Sequence, residues 1–337
     1  MRRTVLLDLF LEGDADVKIF PTDLRIGLGG APLAGLFTPI SDADATTTVE
    51  AAWQEGWRFF DTAPHYGLGL AEERLGAALA GKPRSEYVLS SKVGRIIDEA
   101  DSEAPDDEGF AVTSKRRRRW DFSRDGVLRS IEDSLRRIGT DRLDIVFVHD
   151  PDDHYDEAVA TAFPTLIELR DQGVIGAIGS GMNQTAMLTR FVREVDLDVI
   201  MLAGRYTLID PDGLDDVLPA CVENDVQVIA VGVFNSGLLA RPRPSADATF
   251  NYAPADAALI AKANQLADVC DAHGLTLPSA ALAFPLFHPA VAGIAVGCRS
   301  AAEVHANATL ARTQVPTPFW SDLKSTGLLR ADAPTPS

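Results

Sequence analysis

The sequence predicts an α/β protein with the fold of a single (β/α)8 TIM barrel, and three observations carry that prediction. Eight short apolar runs alternate along the chain with longer amphipathic segments. The runs are apolar on both faces, which is typical of parallel strands covered by helices. The chain has 337 residues, which is enough for eight strand–helix units, because such barrels typically need roughly 250 residues.

The eight predicted strands are short segments rich in β-branched residues, as strands prefer. We place all of them in one domain of residues 1–330, with a strand or hairpin at the N-terminus before the first. Residues 331–337, rich in proline and small residues, are expected to form a disordered tail. In chain order the strands are Leu24–Gly29, Arg58–Thr62, Tyr87–Lys92, Leu143–His149, Val174–Gly181, Asp198–Gly204, Val226–Val233 and Val291–Gly297.

Helical patterns fill the intervals between the strands. Apolar residues recur at helical spacing, and several segments stop at a glycine, where a helix commonly ends. Arg136 and Arg137 lie near the end of one segment, where cations suit the helix dipole. The segments include Ala45–Gly56, Gly126–Gly139, Glu157–Gly173 and Asn183–Val195.

The main rival fold is a doubly wound open sheet. That fold needs a glycine-rich turn after its first strand, and the turn must lead directly into a helix. Here the glycines of Gly27–Pro32 are followed by a loop rich in proline and threonine. The barrel is therefore favoured.

The amino-acid composition argues against several classes of binding partner. The chain carries 31 Lys and Arg against 49 Asp and Glu, a net charge of −18, so it repels nucleic acid and anionic lipid. No segment is long and apolar enough to span a bilayer. Cys221, Cys270 and Cys298 have no paired spacing, which argues against disulfides and zinc and favours a cytoplasmic protein. We expect a small-molecule substrate, no nucleic acid and no membrane, and we predict no oligomeric state.

Polar residues stand at the ends of three successive strands. The second strand ends in Asp61, with Tyr66 in the loop beyond it, the third in Lys92 and the fourth in His149. Each alone has an ordinary explanation, as a turn former, a packed aromatic, a surface charge or a core histidine. Together they point to one mouth of the barrel, where such barrels place their reacting groups. A lysine that closes an apolar strand needs a carboxylate partner, and the adjacent strand supplies one.

The segments around these residues resemble the signature segments of the aldo-keto reductase family. They are FFDTAPHYG, LSSKVG and DIVFVHD, and the resemblance extends from about Leu24 to about Leu310. Ala203–Asp210 and Val233–Ala240 resemble the branch of aldose 1-dehydrogenases (L-fucose or D-threo-aldose dehydrogenases) and pyridoxal 4-dehydrogenases. The resemblance implies a nicotinamide cofactor bound across the mouth of the barrel.

The resemblance also implies an activity, that of an NAD(P)-dependent dehydrogenase acting on CH–OH donors. The expected reaction is oxidation of the anomeric hydroxyl of a free aldose to a lactone. Alternatives are the oxidation of pyridoxal, the reduction of small aldehydes or ketones, and a nucleotide-sensing regulatory barrel. The particular sugar and the physiological direction are not predicted.

The side chains suggest a mechanism. Tyr66 would serve as general acid and base, although a free phenol has a pKa of about 10. The ammonium of Lys92 is expected to lower that pKa by stabilising the phenolate. Asp61 would hold Lys92 charged and in place, and His149 would hydrogen-bond the substrate oxygen.

The segment after the last strand resembles the family's adenosine-phosphate segment. Members that prefer NADP have a lysine and an arginine near the 2′-phosphate, and those places hold Gly297 and Glu303 here. A carboxylate accepts hydrogen bonds from a bare ribose but repels a phosphate, so NAD is predicted over NADP. Arg299 lies between them and could still reach a phosphate, and Asn307 matches the family's adenine-contacting asparagine. An ordinary helix with Ser300 as N-cap fits the same residues.

Two more segments are candidates for cofactor binding. Asn183 follows the fifth strand, where the family binds the carboxamide. Backbone N–H groups and a hydroxyl are expected to face the pyrophosphate after the seventh strand, although a plain turn explains that segment equally well. Its residues are Phe234, Asn235, Ser236 and Gly237.

His65 and Trp120 are the predicted substrate residues. Trp120 ends a long excursion after the third strand, which we expect to form a lid or a substrate wall. The acidic run Asp98–Gly109 and the basic run Lys115–Trp120 are expected to offset each other within it. Apart from its first residue, His149–His154 is expected to be a solvated loop rather than a metal site.

Overall fold

Eight parallel strands close into a barrel in the computed structural model, which describes residues 18–336. Around the barrel their order is β1, β12, β9, β8, β7, β6, β3 and β2, and the four remaining strands form two hairpins outside it. This confirms the predicted fold, and each predicted strand overlaps one barrel strand. The bounds are β1 Ile26–Gly29, β2 Phe59–Asp61, β3 Val88–Val93, β4 Arg95–Pro105, β5 Thr113–Trp120, β6 Leu143–His149, β7 Ile175–Met182, β8 Val199–Ala203, β9 Gln227–Val231, β10 Thr249–Phe250, β11 Ala253–Pro254 and β12 Val291–Gly297.

Helices surround the barrel, and polar side chains cap several of them. Ser41, Ser123 and Asp256 each accept a hydrogen bond from the first turn of the helix that follows, which is the usual N-cap arrangement. The helices are α1 Asp42–Gln54, α2 Leu70–Leu79, α3 Arg124–Ile138, α4 Tyr155–Glu157, α5 Phe163–Asp171, α6 Thr185–Glu194, α7 Val217–Glu223, α8 Ala257–Ala272, α9 Leu277–Ala283, α10 Ala301–Ala311 and α11 Thr317–Ser325.

The interior of the barrel is packed with apolar side chains from alternate strand positions. Phe59, Ile145 and Phe147 are completely buried there. Because successive side chains on a strand point to opposite faces, the next inward positions along β2 and β6 are Asp61 and His149. The same alternation carries Lys92 inward on β3, where it lies opposite Phe147 in the strand register. The apolar interior thus ends in polar groups at one mouth.

The excursion after β3 is an ordered hairpin. β4 and β5 pair antiparallel, and Asp98 lies opposite Arg117 in the register. Asp98 also accepts hydrogen bonds from Arg119 at 2.9 Å and from Arg129 at 2.6 Å. The acidic and basic runs therefore offset each other, as the sequence predicts.

The predicted N-terminal strand or hairpin falls largely on residues 1–17, outside the described residues. Residues 331–337 were expected to be a disordered tail, but Ala333 is only 1% exposed because it fills a place in the core. Arg330, just before it, pairs with Asp215 and Asp332. Within residues 18–336, every helix is too short or too polar to cross a membrane.

Candidate active site

Asp61 and Lys92 form a buried ion pair on adjacent strands. Lys92 Nζ lies 2.7 Å from Oδ2 and 2.8 Å from Oδ1 of Asp61, and it also donates to the carbonyl oxygen of Thr62 at 2.9 Å. Ser90 Oγ donates to Asp61 Oδ1 at 2.7 Å. Lys92 is 2% exposed and Asp61 is 3% exposed, so each charge depends on the other for compensation.

Tyr66 lies beside this pair, in the loop that follows β2. Lys92 Nζ is 4.7 Å from the centroid of the Tyr66 ring. The His149 ring lies 5.7 Å from the Tyr66 ring, centroid to centroid, at an interplanar angle of 87°. Since β2, β3 and β6 are neighbours in the barrel, the structure brings Asp61, Tyr66, Lys92 and His149 together at one mouth.

The pKa of Tyr66 departs from the sequence expectation. Burial raises the pKa of Tyr66 well above 10, and the carboxylates of Asp61 and Asp150 raise it further, while Arg95 opposes them. The net direction is therefore opposite to the lowering that was expected from Lys92. The main reason is that the buried phenol loses its contact with water, and the carboxylate of Asp61, which pairs with the ammonium, disfavours the phenolate as well.

The two histidines of the site are neutral. Burial lowers the pKa of His149 well below its usual range, and the nearby cations Lys92 and Arg95 lower it further. Burial, followed by Arg95, lowers the pKa of His65 to about 2. A neutral imidazole has one N–H donor and one acceptor nitrogen, so His149 can hydrogen-bond a substrate oxygen without carrying charge.

Arg95 and Asp150 are charged residues of the site that the sequence analysis missed. Arg95 Nη2 donates to Asp150 Oδ2 at 2.9 Å, while Nη1 donates to Glu108 Oε2 at 3.0 Å and lies 2.8 Å from His65 Nδ1. Asp150 Oδ2 is 3.5 Å from His149 Nε2. Both residues lie within three positions of a strand end that the sequence analysis had singled out. Their closeness to those strand ends was the signal from which they could have been predicted.

The segment after β6 is less solvated than the sequence predicts. The Asp150 side chain is only 35% exposed, because Arg95 draws it towards the mouth. The ring of His154 packs against Trp120 at 5.2 Å and Phe122 at 4.9 Å. Among residues 18–336, no group of three or more His, Cys, Asp or Glu side chains is arranged to hold a metal ion.

The hairpin β4–β5 covers one side of the mouth. Trp120 lies over the guanidinium of Arg95 at 4.3 Å and remains 41% exposed. Phe110, between the two strands, lies 5.4 Å from His65 and 6.0 Å from Tyr66, ring centroid to ring centroid. His65 is therefore part of the site, whereas Trp120 adjoins it through Arg95.

The residues predicted to bind the adenosine end of a dinucleotide lie where β12 leads into α10. Glu303 Oε2 accepts the backbone N–H of Arg299 at 2.9 Å, and Ser300 Oγ accepts that of Glu303 at 3.2 Å. This reciprocal arrangement resembles a capping box. Arg299 Nη2 is also 3.6 Å from Glu303 Oε1. Asn307 Nδ2 donates to Cys298 Sγ at 3.3 Å, so each of these side chains already has an internal contact.

Contacts with a ligand remain open to several of these residues. The side chains of Arg299 and Glu303 are 51% and 43% exposed, and Gly297 is exposed at the end of β12. A Cβ added at Gly297 would lie 2.8 Å from Pro32 Cγ, so a side chain there would crowd the mouth. Asn183 directly follows β7 at the same mouth and is half-buried. The exposed charges of Arg299 and Glu303 are open to the adenosine end of a dinucleotide, whereas Asn183 is the residue predicted for the carboxamide.

The segment Phe234–Gly237 forms a turn after β9. The N–H of Asn235 donates to Gly232 at 2.8 Å, and that of Gly237 donates to Phe234 at 3.1 Å. These two N–H groups are engaged within the turn, in keeping with the plain turn that explained the segment equally well. A tight turn uses its own carbonyl oxygens as acceptors, and the sequence did not show which N–H groups remain.

The side chains of this turn keep polar groups for a ligand. Ser236 Oγ accepts the backbone N–H of Tyr252 at 3.1 Å, and a hydroxyl that accepts one hydrogen bond still carries a donor hydrogen. Asn235 Nδ2 donates to the carbonyl oxygen of Gly204 at 3.1 Å. Its Oδ1 is buried and accepts no hydrogen bond from residues 18–336. Buried polar atoms without a partner are uncommon, and this acceptor fits a cofactor that supplies a donor.

The chain is similar to known proteins over nearly its whole length. The model of the Aldo/keto reductase family matches residues 25–327. A D-threo-aldose 1-dehydrogenase from a Pseudomonas species is 43% identical over 316 residues, which cover 92% of this chain and 95% of the relative. A pyridoxal 4-dehydrogenase from Microbacterium luteolum is 38% identical over 327 residues, covering 91% and 95%. The holo form of an aldo-keto reductase from Bacillus halodurans matches with a TM-score of 0.71 and 25% identity, covering 94% and 96%.

Proposed function

This chain belongs to the aldo/keto reductase family, and we propose that it oxidises the anomeric hydroxyl of a free aldose to a lactone with NAD. The family and its dehydrogenase relatives make it an oxidoreductase, and the family uses nicotinamide cofactors. The observation that carries the proposal is the meeting of the buried Lys92–Asp61 pair with Tyr66 and His149 at one mouth.

The chemistry assigns a separate task to each residue. Oxidation takes a proton from the anomeric oxygen and a hydride from the anomeric carbon, and leaves a C=O bond. The nicotinamide, when bound, supplies the hydride acceptor. Tyr66 takes the proton, and neutral His149 holds the oxygen. The Lys92–Asp61 ion pair packs against the Tyr66 ring and holds it in position. Proton transfer of this kind typically contributes roughly 10²–10⁴-fold, and the remaining acceleration comes mainly from positioning.

A second candidate substrate is pyridoxal, which is favoured by the 38% identity to a pyridoxal 4-dehydrogenase. Its cyclic hemiacetal carries a hydroxyl that the same residues would oxidise in the same way. Reduction of a small aldehyde or ketone is the reverse reaction, with Tyr66 donating the proton. A nucleotide-sensing barrel has no need of the buried Lys92–Asp61 pair beside a phenol, so we rank it last.

Turnover of a substrate panel tests the proposed function directly. Purified protein is mixed with NAD or NADP and with free aldoses, pyridoxal or small alcohols, and formation of the reduced cofactor is followed by absorbance. We expect the largest kcat/KM for NAD with a neutral aldose, and a lactone as the product. If the protein binds the cofactor but turns over no member of the panel, the sensor becomes the better description.

Cofactor preference rests on Glu303 and gives a second prediction. The Glu303→Arg variant is expected to shift the NADP-to-NAD ratio of kcat/KM towards NADP by roughly tenfold or more. The reason is that it replaces repulsion of the 2′-phosphate by a charge-assisted hydrogen bond, worth about 1.5–3 kcal/mol. The ratio is measured with the best aldose of the panel.

The control variant is Glu303→Gln. Glutamine keeps an acceptor for the N–H of Arg299, so the cap of α10 is retained while the negative charge is lost. We expect a smaller shift in the same direction. An unchanged ratio in both variants would remove the argument for NAD.

A further inference from the structure

Asp150 is held in an unusual position immediately after β6. Its φ is 42°, in the left-handed region that aspartate tolerates better than most residues. Its backbone N–H donates to the carbonyl oxygen of Gly181 at 3.1 Å. This backbone places Oδ2 of the carboxylate 3.5 Å from Nε2 of His149. We assign that nitrogen to the hydrogen bond with the reacting oxygen.

Arg95 fixes one oxygen of that carboxylate and leaves the other free. Nη2 of Arg95 donates to Oδ2 of Asp150 at 2.9 Å, while Nη1 is engaged by Glu108 and His65. Trp120 covers the guanidinium at 4.3 Å. The structure records no hydrogen bond to Oδ1 of Asp150 within residues 18–336. Asp150 therefore keeps one carboxylate oxygen without a hydrogen-bond donor from the described residues, while Arg95 holds the other.

The charge balance around Asp150 favours a neutral partner. A carboxylate only accepts hydrogen bonds, so its ligand must supply a donor. The two guanidinium groups nearest the mouth are already paired, Arg95 with Asp150 and Glu108, and Arg118 with Asp106. An anionic substituent beside the reacting carbon would meet these carboxylates and two guanidinium groups that are already paired, whereas a hydroxyl would find its acceptor.

Distances indicate which hydroxyl this is. When His149 Nε2 holds the reacting oxygen, a hydroxyl on the adjacent carbon lies roughly a hydrogen-bond length, about 2.8 Å, from that oxygen. Oδ2 of Asp150 lies 3.5 Å from the same nitrogen, which brings the whole carboxylate, including the Oδ1 that Arg95 does not bind, close to this hydroxyl. Burial also raises the pKa of Asp150 to about 6, although Arg95 and Lys92 oppose the rise. The group is thus largely ionised at neutral pH although only 35% of its side chain is exposed, and a substrate donor replaces part of the lost water.

We infer that Asp150 is a specificity-determining residue that accepts a hydrogen bond from the hydroxyl next to the reacting carbon, so that the substrates are neutral 2-hydroxy aldoses. The inference rests on the proposed oxidation of an aldose at its anomeric carbon. A site built to bind a hydroxyl discriminates against the analogue that lacks it, because the acceptor of the site then loses that hydrogen bond. For a hydrogen bond to a charged group, worth about 1.5–3 kcal/mol, the expected preference is roughly 10- to 100-fold in kcat/KM.

Matched sugar pairs test this inference. We would measure kcat/KM with NAD for galactose against 2-deoxygalactose and for glucose against 2-deoxyglucose. The wild-type protein should prefer the hydroxylated member of each pair, and Asp150→Ala should reduce that preference to near unity. General damage to the site lowers both members equally, so it leaves the ratio unchanged. The matched control is Asp153→Ala, an exposed carboxylate of the same loop, which should keep the wild-type ratio.

The outcomes separate this inference from the proposed function. Turnover of both sugars by the wild type without a preference overturns the role of Asp150, and so does a preference that survives in Asp150→Ala. If the wild-type protein oxidises no aldose, the proposed function is wrong, and this inference is wrong with it. Should the alanine variant fail to fold, Asp150→Asn keeps the side-chain size. Because a neutral amide accepts more weakly, that variant should still reduce the ratio.

Discussion

Replacing Tyr66 by phenylalanine is expected to lower kcat for aldose oxidation by roughly 10²–10⁴-fold, the usual contribution of a general acid or base. Phenylalanine keeps the ring that Lys92 and His149 contact and removes only the hydroxyl that carries the proton. NAD affinity should remain nearly the same, because none of the proposed cofactor contacts involves this hydroxyl. Steady-state kinetics and a fluorescence titration with NAD measure the two quantities.

The pH dependence gives an independent readout of the same role. Burial raises the pKa of Tyr66, and Asp61 and Asp150 raise it further, so the phenol form predominates at pH 7. Oxidation needs the base form, so kcat/KM, which reports groups of the free enzyme, should rise with pH above neutrality. Reduction uses the phenol and should not show this rise. A flat oxidation profile between pH 7 and pH 10, or an alkaline rise that persists in Tyr66→Phe, would contradict the assignment.

Strand ends explain why the central residues could be predicted from the sequence. Asp61, Lys92 and His149 close apolar runs, and the barrel brings the ends of neighbouring parallel strands to one mouth. Both the fold and this group of residues therefore follow from a pattern local to each strand. Tyr66 was singled out by its place in the loop just after Asp61, and the resemblance to a family supplied its role as acid and base.

The surroundings of these residues could not be predicted in the same way. Arg95 reaches Asp150 and His65 only because the hairpin β4–β5 folds back over the mouth. No local sequence pattern predicts that a hairpin covers the mouth of the barrel at this position. The pKa of Tyr66 depends on burial and on the carboxylate that neutralises Lys92. Both are consequences of packing, and the lysine considered alone predicted the wrong direction.

In the turn after β9 and the cap of α10, the hydrogen bonds of individual atoms also could not be predicted from the sequence. Glu303 was assigned to a ribose from its charge, and it also holds the backbone N–H of Arg299. Asn235 was assigned through its backbone N–H, whereas its unpaired Oδ1 is the group that remains open. The sequence suggested these residues as cofactor contacts, and the hydrogen bonds show which of their atoms are already engaged.

Breaking the Lys92–Asp61 pair is expected to give the largest loss of stability. Lys92→Met leaves the carboxylate of Asp61 buried, with Ser90 as a remaining donor. Removing one partner of a buried pair typically costs about 3–5 kcal/mol in the free energy of unfolding. The double variant Asp61→Asn with Lys92→Met removes both charges and should recover most of that loss. Urea denaturation measures each value.

A less buried pair of the same chemistry is the control. Lys82 Nζ lies 2.8 Å from Glu50 Oε2, but the two side chains are 21% and 37% exposed. Lys82→Met should therefore cost no more than about 1 kcal/mol, and a loss equal to that of Lys92→Met would show that burial is not the cause.

The double variant also separates the two reasons for keeping the buried pair. Two buried charges are often no more stabilising than neutral side chains of similar size, so stability alone does not explain Lys92 and Asp61. If the pair serves the chemistry of Tyr66, the double variant should fold nearly as stably as the wild type and yet oxidise aldoses far more slowly. A stable double variant with full activity would show instead that the phenol works without the ammonium beside it.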